Sequence, residues 1–338
     1  MTEVKKLDKR TVTIISIVGF AVVFAVLLAL ASIYDFQVSM ILTRGSLPAG
    51  NYYSINQFGL FFEAFGATPI WLAIAVAGVI FFWNAPRIQN TNAKCNKRAL
   101  AIFVMCLCAV VICVGFYFFM SDLLKYVFEH MGDKDYVDKG YVIGLNVSVS
   151  AVLTALLIFA WKNLGEERHK KLLWFALVII FTAAFYLLIT VIKSPVGRMR
   201  FRTMNALGDA SYSGYTPWYV INGKRKIAGL PSDSCKSFPS GHTFSAGVIY
   251  VILALPDLFK KLNKTWVKVL LWLIAIGYTG VVAVSRIVVG AHYFSDVLFG
   301  GTIAFLAAMI AREIFVLKGE HFKSLFCKKK EESEVKTE

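Results

Sequence analysis

Two histidines in the C-terminal part of the chain lie in settings suited to chemistry on an anionic group. The first, His242, follows Pro239, Ser240 and Gly241 directly before an apolar run. A proline near the first helical position and a serine cap predict a helix N-terminus, whose free N–H groups and dipole attract anions. His242 would lie in the first turn beside such an anion and exchange a proton with it. A capping role without catalysis is the alternative for this segment alone.

The second histidine, His292, lies six residues after Arg286, which follows Ser285, and four residues before Asp296. On a helix, a spacing of four puts His292 and Asp296 on one face. The carboxylate would fix the imidazole tautomer and leave the other ring nitrogen free for in-line attack on phosphorus. Arg286 would offer a planar pair of donors to phosphoryl oxygens. A purely structural His–Asp pair is the alternative.

A third segment supplies positive charge. Lys193, Arg198, Arg200 and Arg202 fall within ten residues, and Gly197 would let the backbone approach a bound polyanion. Lysines and arginines that merely extend toward the membrane surface are the alternative. The side chains expected to hold the phosphoryl group contribute three positive charges against a phosphomonoester dianion, namely those of Lys193, Arg200 and Arg286.

All three segments adjoin apolar runs that are long enough to cross a bilayer. Of the 338 residues, 57% are apolar and 17% are charged, which indicates a multi-pass membrane protein rather than a soluble or disordered one. Because a spanning helix needs about 20 apolar residues, we expect an all-α transmembrane bundle of about eight spans. The predicted spans are 11–34, 58–83, 99–120, 141–161, 172–192, 239–256, 266–285 and 292–311.

The basic residues predict an orientation for these spans. With a cytoplasmic N-terminus, 23 of the 36 Lys and Arg residues fall on the inner side and 13 on the outer side, so both termini are expected to be cytoplasmic. Eight of the outer ones lie in the loop 193–240, which needs another reason to be cationic. The net charge of +15 is interpreted as contact with anionic lipid rather than with nucleic acid. The first predicted span, 11–34, is longer than the apolar region of a cleaved signal peptide, so we expect it to be retained in the mature protein.

Together the three segments resemble the type 2 phosphatidic acid phosphatase superfamily of membrane phosphatases. The family's Pro-Ser-Gly-His motif is present in full, and so is its Ser-Arg motif, in which five residues separate the arginine from a histidine and three more separate that histidine from an aspartate. Its lysine-and-arginine motif is matched except that Phe201 replaces the expected proline. The matching residues are Lys193 and Arg200, then Pro239 to His242, then Ser285, Arg286, His292 and Asp296.

The resemblance implies a role for each matching residue. His292 would attack phosphorus to form a phosphohistidine, Asp296 would orient it, and His242 would act as acid toward the leaving oxygen. The resemblance also implies a helical bundle and no metal or other cofactor. The residues that would hold the phosphoryl group are Lys193, Arg200, Ser240, Gly241 and Arg286.

The resemblance covers about residues 172–311 and suggests how the chain is divided. Residues 1–171 are expected to form four N-terminal spans that are partly an addition to the family's usual six. Residues 172–317 would form the catalytic core with the outer loop 193–240, and residues 318–338 a charged cytoplasmic tail. The cysteines are expected to form neither a structural disulfide nor a metal site, because only Cys235 falls in an outer loop.

The predicted function is hydrolysis of a lipid phosphomonoester or a polyprenyl pyrophosphate, drawn from the bilayer, at the extracytoplasmic face of the cell membrane. A lipid-linked phosphotransferase would use the same intermediate, and a transporter or a lipid-binding relative without activity is a further alternative. Candidate substrates are phosphatidic acid, phosphatidylglycerol phosphate, a polyprenyl pyrophosphate and a lipid-linked sugar phosphate. The sequence does not choose among them.

One carboxylate near the second span attracts attention because ionisable residues there are often functional. We expect Glu63 to be an interfacial carboxylate in water, and a role in shaping the substrate entrance is the second interpretation. The outer segment 203–236 is rich in aromatic residues. It would either cover the site or form part of an interfacial aromatic belt.

Overall fold

A computed structural model of the protein describes residues 8–90, 96–130 and 134–326. Over these residues the chain is helical and contains no strand. The α-helices are α1 (Lys9–Leu42), α2 (Gln57–Ala67), α3 (Pro69–Asn84), α4 (Lys97–His130), α5 (Gly140–Trp161), α6 (Glu166–Ala184), α7 (Tyr186–Val196), α8 (Phe201–Ala206), α9 (Gly241–Gly247), α10 (Leu255–Leu258), α11 (Thr265–Val288), α12 (Phe294–Phe315) and α13 (Glu320–Phe326). Short 3-10 helices occupy Ala85–Asn90, Lys134–Asp138, Lys162–Leu164, Val248–Ala254 and Lys260–Leu262.

Eight stretches of the described chain are long and apolar enough to span a membrane, which confirms the predicted all-α bundle. They are Lys9–Leu42, Gln57–Gln89, Lys97–Phe128, Gly140–Leu164, Glu166–Val196, Gly241–Leu258, Thr265–Val288 and Phe294–Phe315. Three of them are interrupted within their apolar stretch. The second is divided before Pro69, the fifth is divided at Phe185, and the sixth passes through the 3-10 helix Val248–Ala254.

Two spans extend well beyond the apolar runs that predicted them. Helix α1 continues to Leu42 instead of ending near residue 34, and α4 continues to His130 instead of ending near residue 120. The added turns contain Asp35 and Asp122, and both carboxylates accept hydrogen bonds from other helices or loops. A charge therefore does not end either helix, because each charge has a partner once the chain is folded.

Helices α9, α11 and α12 pack against one another at the centre of the bundle, with α1, α2, α3 and α6 around them. Helix α4 packs mainly against α2, α3 and α5, and the main α-helical partners of α5 are α3 and α4. The α4–α5 pair is thus attached at the edge of the bundle. These two helices are our candidates for the spans beyond the usual six of the family.

The two ends of the described chain lie together. The ammonium of Lys9, at the start of α1, forms an ion pair with Glu320 of α13. The backbone N–H and Nδ1 of His321 lie 2.6 and 2.9 Å from carboxylate oxygens of Glu313, so the chain after α12 begins with a docked helix. The lysine and glutamate run of the predicted tail, from residue 327 onward, lies outside the described residues, as does Cys95.

Candidate active site

The three predicted segments meet at the end of the bundle opposite to Lys9 and Glu320. Backbone hydrogen bonds connect the cationic segment to the loop before α9 and to the turn between α11 and α12. The donor and acceptor pairs are Arg200 N to Ser234 O at 3.0 Å, Ser237 N to Arg198 O at 3.0 Å, Arg202 N to Gly290 O at 2.9 Å and Ser240 N to Asp296 O at 2.9 Å. Residues that are far apart in sequence are therefore held in register by the main chain.

His292 lies in the turn before α12, and its side chain is fully buried. Its Nδ1 is 2.6 Å from the carbonyl oxygen of Ser237. Because a carbonyl oxygen only accepts, Nδ1 carries the proton and Nε2 has a free lone pair. Among the described residues, Nε2 has no hydrogen-bond partner. Burial lowers the pKa of His292 to about 3, and the positive charges of Arg200 and Lys193 act in the same direction, although the Asp296 carboxylate opposes them. The imidazole is therefore neutral near pH 7.

The structure brings His292 and Asp296 close together, but the prediction that they share one helix face is wrong. Helix α12 starts at Phe294, so His292 precedes the helix, and the Oδ2 of Asp296 is 3.7 Å from its Nδ1. Asp296 instead accepts from the hydroxyl of Ser237 and, at 2.8 Å, from the backbone N–H of Tyr293. It therefore acts on the imidazole mainly through Ser237, whose carbonyl holds Nδ1.

Arg198 is bound by two carboxylates, in contrast to the expectation that the cationic segment offers its charges to an anion. Its side chain is fully buried, and its Nη1 donates to Asp296 at 2.6 Å while its Nη2 donates to Asp35 at 2.8 Å. Burial opposes the charge, but the two carboxylates raise the pKa of Arg198 above its ordinary value. Gly197, expected to approach the anion, ends α7 in a left-handed conformation, and a Cβ there would lie 1.7 Å from the carbonyl oxygen of Gly223.

The expectation that Glu63 is an interfacial carboxylate in water is wrong. Glu63 is 3% exposed, and its Oε1 is 2.7 Å from Nη2 of Arg286 and 3.5 Å from Nη1 of Arg202. The two arginines compensate the cost of burying this carboxylate. Arg286 is itself fully buried, and its Nε and Nη1 have no hydrogen-bond partner within the part of the chain that the structure describes.

The two cations matched to the family's first motif also lie at the site. The Nζ of Lys193 is 3.4 Å from the carbonyl oxygen of Lys236, and it would lie 3.6 Å from a Cβ built on Gly241. The Nη2 of Arg200 is 2.7 Å from Asp233. Burial raises the pKa of Asp233, but the positive charges of Arg200, Arg202 and Lys193 hold it well below its usual range.

The site therefore has a smaller positive excess than the three charges that the sequence predicted. Its cations are Lys193, Arg198, Arg200, Arg202 and Arg286, and its carboxylates are Asp35, Glu63, Asp233 and Asp296. Five positive charges and four negative charges leave a formal excess of one. The carboxylates hold the guanidinium groups in fixed positions before any anion arrives.

The Pro-Ser-Gly-His segment starts a helix, as its sequence predicts. Ser240 is the N-cap of α9, and its hydroxyl accepts from the backbone N–H of Thr243 at 3.3 Å. A Cβ on Gly300 would lie 2.4 Å from the carbonyl oxygen of Ser240, so α12 and this cap are in close contact. The ring of His242 packs edge-on against Tyr126 at 5.4 Å, and its Nε2 is buried without a partner among the described residues.

A cavity of about 630 Å³ opens beside these groups. Its lining combines residues of the predicted motifs with residues from α2, α4 and the loops before α2 and α9. The lining residues are Tyr52, Tyr53, Glu63, Lys125, Tyr126, Arg200, Arg202, Gly229 to Asp233 and His242.

The sequence missed three residues that support the site, namely Asp35, Ser237 and Asp233. Asp35 carried a usable signal, because a charge that continues an apolar run often has a functional partner. Ser237 acts through its backbone carbonyl as well as its hydroxyl, and Asp233 lies in a polar loop, so neither stood out. No three His, Cys, Asp or Glu side chains in residues 8–90, 96–130 and 134–326 are grouped so as to hold a metal ion.

The chain is similar in sequence to lipid phosphatases of three bacteria. The lipid A 1-phosphatase of Rhizobium johnstonii is 26% identical over 208 residues, covering 58% of this chain and 71% of the relative. The lipid A 1-phosphatase of Rhizobium etli is 27% identical over 181 residues, covering 49% and 67% respectively. The phosphatidylglycerophosphatase B of Bacillus subtilis is 33% identical over 92 residues, covering 25% of this chain and 42% of the relative.

No solved structure is significantly similar to the chain. The PAP2 superfamily matches residues 171–319, the stretch that contains all three predicted motifs. These residues therefore form a PAP2 superfamily domain, which confirms the family resemblance found in the sequence.

Proposed function

We propose that this chain is a multi-pass membrane phosphatase that hydrolyses the phosphomonoester or pyrophosphate of an amphiphile through a phosphohistidine on His292. Each of the three similar proteins is named as a phosphatase of a lipid, which confirms the predicted class of lipid phosphatase. The substrate, the intermediate and the side of the membrane are parts of the proposal.

One observation carries the mechanism. The Nε2 of His292, the Nε2 of His242 and two guanidinium nitrogens of Arg286 are buried without partners among the described residues. Buried polar groups normally have hydrogen-bond partners, and exceptions concentrate where a ligand or a reaction requires them. A phosphoryl group would satisfy the Arg286 donors and present its phosphorus to the lone pair of His292.

The proposed reaction proceeds in two steps. In the first, Nε2 of His292 forms a bond to phosphorus while the bond from phosphorus to the leaving oxygen breaks. His242, which would carry a second ring proton when the phosphate dianion is bound beside it, gives that proton to the leaving oxygen. In the second, water attacks the phosphohistidine, His242 takes a proton from that water, and orthophosphate leaves. Arg286, Arg200 and Lys193 would balance the charge on the equatorial oxygens in both steps.

Asp296 and Ser237 would keep the imidazole ready for this reaction. The Ser237 carbonyl holds the proton on Nδ1, and the hydroxyl of the same serine is bound to Asp296. The imidazolium character that develops as Nε2 attacks would be stabilised by the nearby Asp296 charge, 3.7 Å from Nδ1. Ser240 and Gly241 would complete the phosphate-binding side at the start of α9.

We further propose that the site faces the extracytoplasmic side and that both termini are cytoplasmic. The positive-inside distribution supports this orientation, and the cations of the loop 193–240 that contradicted the rule are partly explained by Lys193, Arg198, Arg200 and Arg202, which are bound within the site. The basic cytoplasmic loops would contact anionic lipids.

The function can be tested by orthophosphate release from a panel of lipid phosphates and pyrophosphates, using purified protein in lipid nanodiscs. His292→Gln is expected to lower turnover by about a thousandfold or more, because the nucleophile is lost. The matched control is His169→Gln, a change at another buried histidine, which contacts Trp83 rather than the site. Activity is expected to persist in EDTA. Unchanged release by His292→Gln would overturn the proposal, and labelled phosphate on an added acceptor would indicate transfer instead of hydrolysis.

A further inference from the structure

The cavity beside His242 is larger than the phosphoryl chemistry requires. Its volume of about 630 Å³ falls within the range of about 300–1,000 Å³ that is typical of small-molecule sites. It is lined by Arg200 and His242, and also by residues of α4 and of the loop before α2. Room of this size beside the reacting groups points to a substrate portion other than the phosphate.

Under the proposed function, on which this inference rests, that portion is the leaving group. His242 is the group that would protonate the leaving oxygen, and His242 lines the cavity, whereas the nucleophile His292 does not. In-line displacement puts the leaving oxygen on the side of phosphorus opposite to the attacking nitrogen. The atoms attached to the leaving oxygen would therefore extend into this cavity.

Apart from Arg200 and His242, much of the cavity lining forms a polar wall. It contains the exposed ammonium of Lys125, the phenol groups of Tyr52, Tyr53 and Tyr126, and the guanidinium of Arg202. The guanidinium lies over the Tyr52 ring at 4.5 Å, and its Nε is buried without a partner among the described residues. Tyr52 and Arg202 also have partners within the protein, Asp233 and Glu63 respectively. A hydrocarbon chain would offer no hydrogen bond to Lys125 and Tyr126, whereas hydroxyl groups would accept and donate hydrogen bonds.

An apolar cavity exists elsewhere in the molecule and shows the contrast. About 380 Å³ lies between α1, α11 and α12, with a lining that includes Phe20, Leu27, Trp272 and Phe305. The lining of the cavity beside His242 contains no comparable set of apolar side chains, and Leu230 and Pro231 are its main apolar residues. Its chemistry therefore matches a headgroup and not an acyl chain.

The polar wall depends on a helix outside the PAP2 domain. Lys125 and Tyr126 belong to the end of α4, whose main partners are α2, α3 and α5. The Tyr126 ring contacts His242 directly, with ring centroids 5.4 Å apart. The α4–α5 pair thus adds a binding wall to a catalytic group that the family domain provides.

We infer that the end of α4 completes a leaving-group subsite that takes a hydroxyl-bearing headgroup, with Lys125 and Tyr126 as specificity-determining residues. The preferred substrates would be lipids whose phosphate is carried by a sugar or a polyol. Lipids whose phosphate is attached directly to diacylglycerol or to a polyprenol would be poorer substrates, because they would place no hydrogen-bonding group beside Lys125 and Tyr126.

The test compares two lipids with identical acyl chains, dioleoyl phosphatidylglycerol phosphate and dioleoyl phosphatidic acid. The first carries its terminal phosphate on a glycerol that a phosphodiester joins to diacylglycerol, so a phosphorylated lipid without that phosphodiester is also needed. A diacylglycerol lipid with a phosphorylated sugar is a third probe and distinguishes a sugar from a polyol. The measured quantity is kcat/KM for phosphate release in nanodiscs. At least one hydroxyl-bearing substrate is expected to exceed phosphatidic acid by about tenfold or more, the effect of a few hydrogen bonds.

Variants at the wall are expected to change this preference. Lys125→Met and Tyr126→Phe should each lower the ratio of kcat/KM for the hydroxyl-bearing lipid to that for phosphatidic acid by about fivefold to tenfold. The matched controls are Lys97→Met and Tyr117→Phe, which lie in the same helix nearer its start and should leave the ratio unchanged. A ratio that the wall variants do not change, or equal hydrolysis of all three lipids by the parent protein, would overturn the subsite.

The failure of this inference differs from the failure of the proposed function. If the parent protein hydrolyses all three lipids equally and His292→Gln abolishes each activity, the phosphatase stands and the subsite falls. If the parent protein hydrolyses none of these three lipids but releases phosphate from a lipid pyrophosphate, the phosphatase stands and the subsite falls. If it releases phosphate from no lipid phosphate or pyrophosphate in the panel, both fall.

Discussion

Arg286 divides its donors between Glu63 and the open side of the site. Its Nη2 is bound to Glu63 at 2.7 Å, while Nε and Nη1 have no partner among the described residues. A guanidinium has its donors in a rigid plane, so fixing one edge also aims the other. Glu63 is therefore a positioning residue for the face of Arg286 that we propose to bind phosphate.

This role predicts graded effects at position 63. Glu63→Ala is expected to lower kcat/KM by about tenfold to a hundredfold, because a hydrogen bond to a charged group is lost and Arg286 can turn. Glu63→Gln keeps one acceptor and should lose less activity than Glu63→Ala. The matched control is Glu313→Gln, a buried carboxylate that binds His321 away from the site. Equal activity of parent and Glu63→Ala would contradict the role of Glu63.

The neutral state of His292 gives a prediction about pH. Its pKa of about 3 lies below the ordinary value near 6.5, so the imidazole should remain unprotonated as the pH falls through 6.5 and should gain a proton only near pH 3. Nuclear magnetic resonance of the five labelled histidines, with His292→Gln to assign the signal, measures this directly. Titration of His292 above pH 6 would contradict a buried imidazole that is neutral across this pH range.

Among the elements, α1 is joined through one carboxylate to the start of α12, next to the turn that contains His292. Asp35 accepts from Nη2 of Arg198 at 2.8 Å, from the backbone N–H of Ser295 at 2.7 Å and from the hydroxyl of Ser295 at 2.5 Å. Arg198 in turn donates to Asp296. The first span, which the sequence alone could not distinguish from an accessory segment, therefore supports the residues around His292.

Asp35→Leu is expected to destabilise the protein by about 3–5 kcal/mol, because it leaves part of a buried ion pair uncompensated. Thermal unfolding in detergent measures this loss, and phosphate release should fall with it. Asp257→Leu is the comparison, since its ion pair with Arg312 is partly exposed and should cost about 1 kcal/mol or less. Similar unfolding temperatures for the two variants would contradict the importance of the buried pair.

How much could be predicted differs between elements and their contacts. The eight spans followed from apolar runs, and the start of α9 followed from Pro239 and the Ser240 cap, because both are local properties of the chain. The partner of His292 could not be predicted, because the Ser237 carbonyl is brought to it by folding and is not encoded by a side-chain type. The burial of Glu63 likewise depends on Arg286, which lies 223 residues later.

At the scale of the whole molecule, the described ends of the chain and the site occupy opposite ends of the bundle. An even number of spans returns the chain to the side where it began, which agrees with the ion pair between Lys9 and Glu320. The orientation of this arrangement in the membrane is a prediction from the positive-inside rule.

Two cysteine substitutions test that orientation. Lys224→Cys lies in the exposed part of the loop 193–240, and Lys171→Cys lies in the exposed first turns of α6. A membrane-impermeant maleimide applied to intact cells is expected to label Lys224→Cys, whereas Lys171→Cys should be labelled only after lysis. The parent protein sets the background from its own cysteines. The reverse pattern would place the site on the cytoplasmic side.

The phosphohistidine proposed on His292 can be trapped and its position on the imidazole determined. Purified protein is mixed with a lipid phosphate, quenched within its first turnovers and digested, and the phosphorylated peptide is identified by mass spectrometry under conditions that preserve phosphohistidine. We predict a phosphoryl group on Nε2 of His292, because Nδ1 is bound to the Ser237 carbonyl at 2.6 Å. A phosphoryl group on Nδ1, on His242 or on no histidine at all during rapid turnover would contradict the account.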